Sequence, residues 1–155
     1  MEKMHLAQIN IGRMRSPLDD PSMAGFVTRL DEINALADRS PGFVWRLQTA
    51  EGNATSFRPF DDERIIVNMS VWESIETLRA YVYGSLHSEL LRQRRDWFEK
   101  FDGTFLALWW VPAGHIPSID EAKERIAMLE AHGPTPIAFT FKAAFGPEAL
   151  KATGI

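Results

Sequence analysis

Hydrophobic and polar positions alternate along four stretches of this chain, and between them they recur at helical spacing. In His5 to Gly12 the residues His5, Ala7, Ile9 and Ile11 point one way and Leu6, Gln8 and Asn10 the other, which predicts a strand. Arg13 to Asp20 reads as a loop, with Asp20 as a cap and Pro21 at the first position of a helix carried by Met23, Phe26, Val27, Leu30, Ile33 and Ala37. Ser40-Pro41-Gly42 ends it. Gly42 to Thr49 predicts a second strand, residues 50–63 a long hairpin loop, and Arg64 to Trp72 a third strand. Glu73 to Val82 predicts a helix, broken at Gly84-Ser85 and resumed over Leu86 to Phe101. Phe105 to Val111 is apolar almost throughout, as a strand buried on both faces should be.

The order is β-α-β-β-α-β, the split βαβ arrangement of a ferredoxin-like α+β fold with an antiparallel sheet. A tail follows. Pro112 to Pro117 is a loop, Ser118 with Glu121 forms a capping box for a helix reaching about Ala131, and Ile137, Phe139 and Phe141 alternate in a last short strand. Nothing along residues 1–155 marks a linker or a repeat, so a single domain is expected.

Two sheet faces emerge. One collects Ala7, Ile9, Ile11, Phe43, Trp45, Leu47, Ile65, Val67, Met69, Val71, Phe105 and Trp109, and is expected to carry the helices. The other mixes Leu6, Ile66, Leu106 and Leu108 with Gln8, Asn10, Arg46, Asn68 and Ser70. That face is too polar for a private core and too apolar for water, so it is expected to join a second copy in a two-fold homodimer.

Composition narrows the function classes. A net charge of -4 argues against a nucleic-acid footprint, and the third strand lacks the Lys/Arg-Gly-aromatic pattern of an RNA-binding module of the same element order. No apolar run approaches membrane-spanning length, and a cytoplasmic location is expected. Cysteine is absent, which removes disulfides, thiolate metal sites and a cysteine nucleophile. Five tryptophans and ten phenylalanines call for an aromatic-rich core or pocket.

Three segments carry a family resemblance: HLAQINIG at the start, WESIETLRAYVYGSLH with LLRQRRDWFEKF behind it, and PAGHIPSIDEAKERI followed by GPTPIAFTF. Together they resemble a bacterial family of domains of unknown function within the dimeric α+β barrel superfamily. That superfamily also contains antibiotic-biosynthesis and haem-degrading monooxygenases. The resemblance implies a tryptophan ending the third strand, a Ser-x-x-Glu-like helix start and a histidine on the next helix, which Trp72, Ser74, Glu76 and His87 match in kind. Haem-degrading members pair such a tryptophan and histidine with an asparagine on the first strand, where Asn10 stands. Strict alternation, however, places Asn10 and Trp72 on the dimer-facing side and a helix-borne His87 over the other, so no cofactor is expected.

The candidate catalytic residues are therefore His87, Trp72 and Asn10. His87 is expected to line a small cavity under the broken helix, although its stripe with Leu90, Leu91 and Trp97 also suits a hydrogen-bonded core histidine. His5, Tyr83, Trp97 and His115 are candidate ligand-binding residues, and no spacing of metal ligands is present. The resemblance implies a cofactor-independent monooxygenase-like enzyme acting on a small aromatic or apolar molecule. The alternative is a non-catalytic ligand-binding or structural homodimer, with a haem-binding protein behind both.

Overall fold

In the computed structural model, residues 3–17, 19–47, 64–84, 96–99 and 104–152 are described. Four strands, β1 (Met4–Arg13), β2 (Phe43–Arg46), β3 (Ile65–Trp72) and β4 (Leu106–Pro112), form an antiparallel sheet in the order β2-β3-β1-β4. This is the ferredoxin-like order expected from the pattern. Helix α1 (Ala24–Asp38) links β1 to β2, α2 (Ile75–Val82) follows β3, and α3 (Ile119–His132) follows β4.

Local chemistry sets the ends of these elements. The Asp20 carboxylate accepts from the Ser22 amide at 2.9 Å and caps a 3-10 turn, Pro21–Met23, that runs into α1. Ser74 caps α2 in a reciprocal box with Thr77. At α3 the Ser118 hydroxyl accepts from the Glu121 amide at 3.1 Å, but the returning half of the expected box does not form, because the Glu121 carboxylate is held elsewhere. Gly133, at φ +71, ends α3 with the backbone turn that glycine adopts at least cost. The expected last strand reduces to one bridge, Phe139 with Leu108, joined by two backbone hydrogen bonds of 2.9 Å. Thr135 turns the chain just before it, accepting from Ile137 and Ala138. Residues 50–63, and residues 86–95 of the helix expected over Leu86 to Phe101, lie outside the described residues.

The assignment of faces is corrected by the structure. The helices α1 and α2 cover the face that was expected to join a partner: Ala37 and Leu78 pack with Leu6, Trp72, Leu108 and Trp110. The other face takes α3, whose Ala122, Ile126 and Leu129 pack on Ala7, Ile9, Ile11, Val67 and Trp109. Most apolar residues of both faces are thus buried within one chain, with α1 and α2 over the mixed face and α3 over the other. The polar residues tolerate burial there because they satisfy one another.

A bulge in β2 refines this further. Phe43 lies opposite Trp72 but Trp45 lies opposite Val71, so Phe43 and Trp45 fall on different faces. Phe43 meets Trp72 edge to face, with ring centroids 5.5 Å apart, while Trp45 and Leu47 join the α3 side.

Candidate functional site

The β1–β3 register sets Gln8 opposite Ser70 and Asn10 opposite Asn68, in line with Leu6 opposite Trp72. With a period of two, all six side chains stand on the face beneath α1 and α2. They form one hydrogen-bonded row. Gln8 Nε2 donates to Asn68 Oδ1 at 2.7 Å and to Ser70 Oγ at 2.8 Å. Asn10 Nδ2 donates to Gln8 Oε1 at 3.1 Å and more weakly to Asn68 Oδ1 at 3.3 Å. The Trp72 indole N–H donates to Ser70 Oγ at 2.8 Å.

Position along the row decides what each group can do. Gln8 and Ser70 are buried, at 4% and 6% exposure, and Trp72 is fully enclosed between Phe43 and the stacked ring of Tyr81. Asn10 and Asn68 are exposed. Their bonds leave the Asn68 Nδ2 donors and the Asn10 Oδ1 acceptor without a partner among the described residues. The row therefore starts on a buried indole and ends at solvent in a neutral donor beside an acceptor. Apolar clusters flank it: Leu6, Leu78, Leu108, Trp110 and Phe139 at one end, and Met14, Met23, Phe26 and Trp97 at the other.

Charge is kept to the border. Arg46, opposite Ser70 on β2, holds Asp38 of α1 through two bonds of 2.8 and 3.3 Å. The Tyr81 hydroxyl donates to the Ile33 carbonyl at 3.3 Å. Burial pushes its pKa well above the usual tyrosine value, with Arg46 opposing and Asp38 adding to the rise, so it stays protonated and is a donor, not a base.

Beside the row, an open cavity of about 640 Å³ lies at the outer edge of β4. Leu106, one of its walls, stands directly opposite Asn10 in the β1–β4 register. Arg79 and Tyr83 from the end of α2, Phe105 from the chain entering β4, and Phe141 and Lys142 from the tail complete its main surfaces.

The predicted site residues are placed unevenly. Asn10 and Trp72 come together in the row, on the helix-covered side, so the opposition between them and the helix layer inferred from alternation does not hold. Trp72 reaches the row only through its indole N–H. Tyr83 lines the β4-edge cavity. Trp97 is buried against Phe26 in the second cluster, with centroids 5.7 Å apart. His5 points to the α3 side, where both ring nitrogens are buried with no hydrogen-bond partner among the described residues. His115, set after Gly114 at φ +93, lies in a separate cavity of about 580 Å³ and bonds Glu121 at 2.7 Å. Glu121 also accepts from the Trp109 indole at 2.7 Å. His87 lies outside the described residues.

The residues missed by sequence reasoning are Arg79 and Lys142. Arg79 stands four before Tyr83 on α2, a spacing that signals a shared helix face; Lys142 had no comparable signal. A haem would need an axial ligand over the row. No described histidine stands there: His5 faces the other way, His115 is tied to Glu121, and His132 closes α3. Nor do the described residues bring together three metal-ligating side chains.

Residues 5–153 match the family described as Domain of unknown function (DUF3291). This chain belongs to that family. No curated protein matches it. Among solved structures it is similar to SnoaB, a cofactor-independent oxygenase from Streptomyces nogalater, at 16% identity and a TM-score of 0.47 over 72% of this chain and 95% of that one. It is also similar to Rv0793 from Mycobacterium tuberculosis, at 12% identity and a TM-score of 0.47 over 74% and 99%. PA3566 from Pseudomonas aeruginosa shows 9% identity and a TM-score of 0.48 over 74% and 99%. At these levels the likeness assigns no role to any residue of the DUF3291 chain. No helix among the described residues is long and apolar enough to cross a membrane.

Proposed function

We infer that this protein binds a small, flat, largely apolar molecule with an oxygen function over the Asn10–Asn68 end of the polar row, and acts on it as a cofactor-independent monooxygenase-like enzyme. The observation that carries this reading is the row itself. A chain of buried, mutually satisfied polar groups opens to solvent at one donor and one acceptor, between aromatic-rich clusters. Binding sites are built in this way, from apolar walls with a few fixed polar groups.

The geometry suits an enolisable or phenolic substrate. The Asn68 N–H pair donates to the substrate oxygen, and such donors are worth more as that oxygen becomes anionic. A proton leaves the substrate to water at the exposed end of the row, and the resulting electron-rich carbon gives electrons to O₂ directly. For an activated methylene the balance is CH₂ + O₂ → C=O + H₂O, so no outside reductant is needed. The row contains no titratable side chain, and that observation favours a second reading, a binding protein without chemistry.

Calorimetric titration with 1-naphthol and oxygen uptake with 2-tetralone test both. Binding weakened roughly tenfold by Asn68→Leu, with oxygen consumed, supports the enzyme. The same binding without oxygen uptake leaves the binding protein. Affinity indifferent to Asn68→Leu and Asn10→Leu would remove the row as the site.

A further inference from the structure

We propose that the β4-edge cavity selects a planar aromatic acid, with its ring among Tyr83, Phe105 and Phe141 and its carboxylate on Arg79 and Lys142. This is a second site beside the polar row, and it goes beyond the small-molecule reading above.

Charge is the first ground. The chain carries 21 acidic against 17 basic residues, yet among the described residues the cavity wall includes Arg79 and Lys142 and no carboxylate. A wall of one sign in a protein of the other sign attracts its counter-ion, here an anion.

Among the described residues Arg79 is held in place without being neutralised. Its Nη2 donates to the Phe141 carbonyl at 3.3 Å, and its guanidinium lies over the Phe141 ring, 5.7 Å from the centroid. Both contacts fix the side chain, and neither supplies a negative charge; the rest of the planar fork remains for a carboxylate, which it fits in a bidentate manner. Lys142 is exposed and has no ion pair among the described residues.

Aromatic exposure is the second ground. Tyr83 is 61% exposed and Phe105 40%, though both are large rings. Tyr83 sits edge-on to Phe141 with centroids 6.1 Å apart. Rings left open around a concave space give a flat ligand surfaces for stacking. A volume of about 640 Å³ accommodates two or three fused rings.

The test compares 1-naphthoate with 1-naphthalenemethanol, equal in ring and different in charge, by calorimetry on the full chain at low and moderate salt. Naphthoate is expected to bind at least about tenfold tighter at low salt, with the preference shrinking as salt rises. Lys142→Gln, a surface change, should reduce the preference severalfold while leaving the alcohol's affinity unchanged, and Arg79→Gln should abolish it. Equal binding of acid and alcohol, or a preference untouched by Lys142→Gln, overturns the proposal and leaves the small-molecule site standing. If neither compound binds while 1-naphthol binds at the row, this cavity is not a ligand site; if none of the three binds, both readings fall.

Discussion

Ser70→Ala tests whether the polar row is a closed interior network. Ser70 Oγ accepts from two donors, Trp72 Nε1 and Gln8 Nε2, each at 2.8 Å. Gln8 keeps its second acceptor, Asn68 Oδ1 at 2.7 Å, so its loss is that of one ordinary bond, about 0.5–1.5 kcal/mol. Trp72 has no such reserve. Its side chain is fully buried and its N–H can only donate, so the orphaned donor costs a further 1–3 kcal/mol or so. The sum is about 2–4 kcal/mol. In urea, with a slope near 2 kcal/mol/M for a chain of this size, the midpoint should fall by about 1–2 M with the slope unchanged. A double-mutant cycle isolates the cause. In a Trp72→Phe background no indole is left to orphan, and Ser70→Ala should then cost only about 1 kcal/mol, a coupling of about 1–3 kcal/mol. A single-mutant cost under about 0.5 kcal/mol, or additive costs across the cycle, would show that water reaches the row and would refute its description as buried and self-satisfied.

Two further outcomes follow from other buried groups. The Tyr81 pKa is raised in the folded state, so its contribution to stability is complete below the unfolded value near pH 10 and is lost as pH rises above it; Tyr81→Phe should flatten that alkaline loss in thermal melts across pH 8–11, and an unchanged pH profile would contradict it. His5→Phe should raise stability by about 1 kcal/mol in urea melts, because both imidazole nitrogens are buried without a partner among the described residues and an apolar ring removes that cost; a loss of stability would show that the imidazole is satisfied in solution.

The strand order was legible because each strand announces itself by alternation, and the split βαβ connection admits few topologies. The face that carries the helices was not. Alternation divides residues into two sets but cannot say which set meets α1 and α2, and judging by polarity chose wrongly. Gln8, Asn10, Asn68 and Ser70 looked unsuited to a covered face because each was assessed singly, whereas across the β1–β3 register they satisfy one another. A signal was present in β4. Leu106 to Val111 is apolar on both faces, so each face needs its own cover; the helix starting at Ser118 stands outside the split βαβ units and is the natural cover for the second. The β2 bulge was beyond reach, since one extra residue moves Phe43 to Trp72's face without altering the alternation on either side.

The site was legible in proportion to how far its residues depend on strand register. Asn10 and Trp72 share the row because their positions on β1 and β3 are fixed by pairing, and Asn68 and Ser70 were grouped with Asn10 for the same reason. His115, in a loop, gave no indication of its partner. Glu121 looked like half of a capping box, but its carboxylate is bound by the Trp109 indole and the His115 ring instead of returning to the helix start. Both competitors are brought to it by tertiary packing of α3 on β4, and charge-assisted bonds from an indole and an imidazole outweigh a single bond to a terminal amide. Lys142 likewise acquires meaning only when the tail folds back beside α2, far away in sequence. Local chemistry can therefore nominate a residue for a cap or a turn, but a carboxylate or an ammonium serves whichever partner the fold brings nearest, and in this protein that partner lies across the sheet.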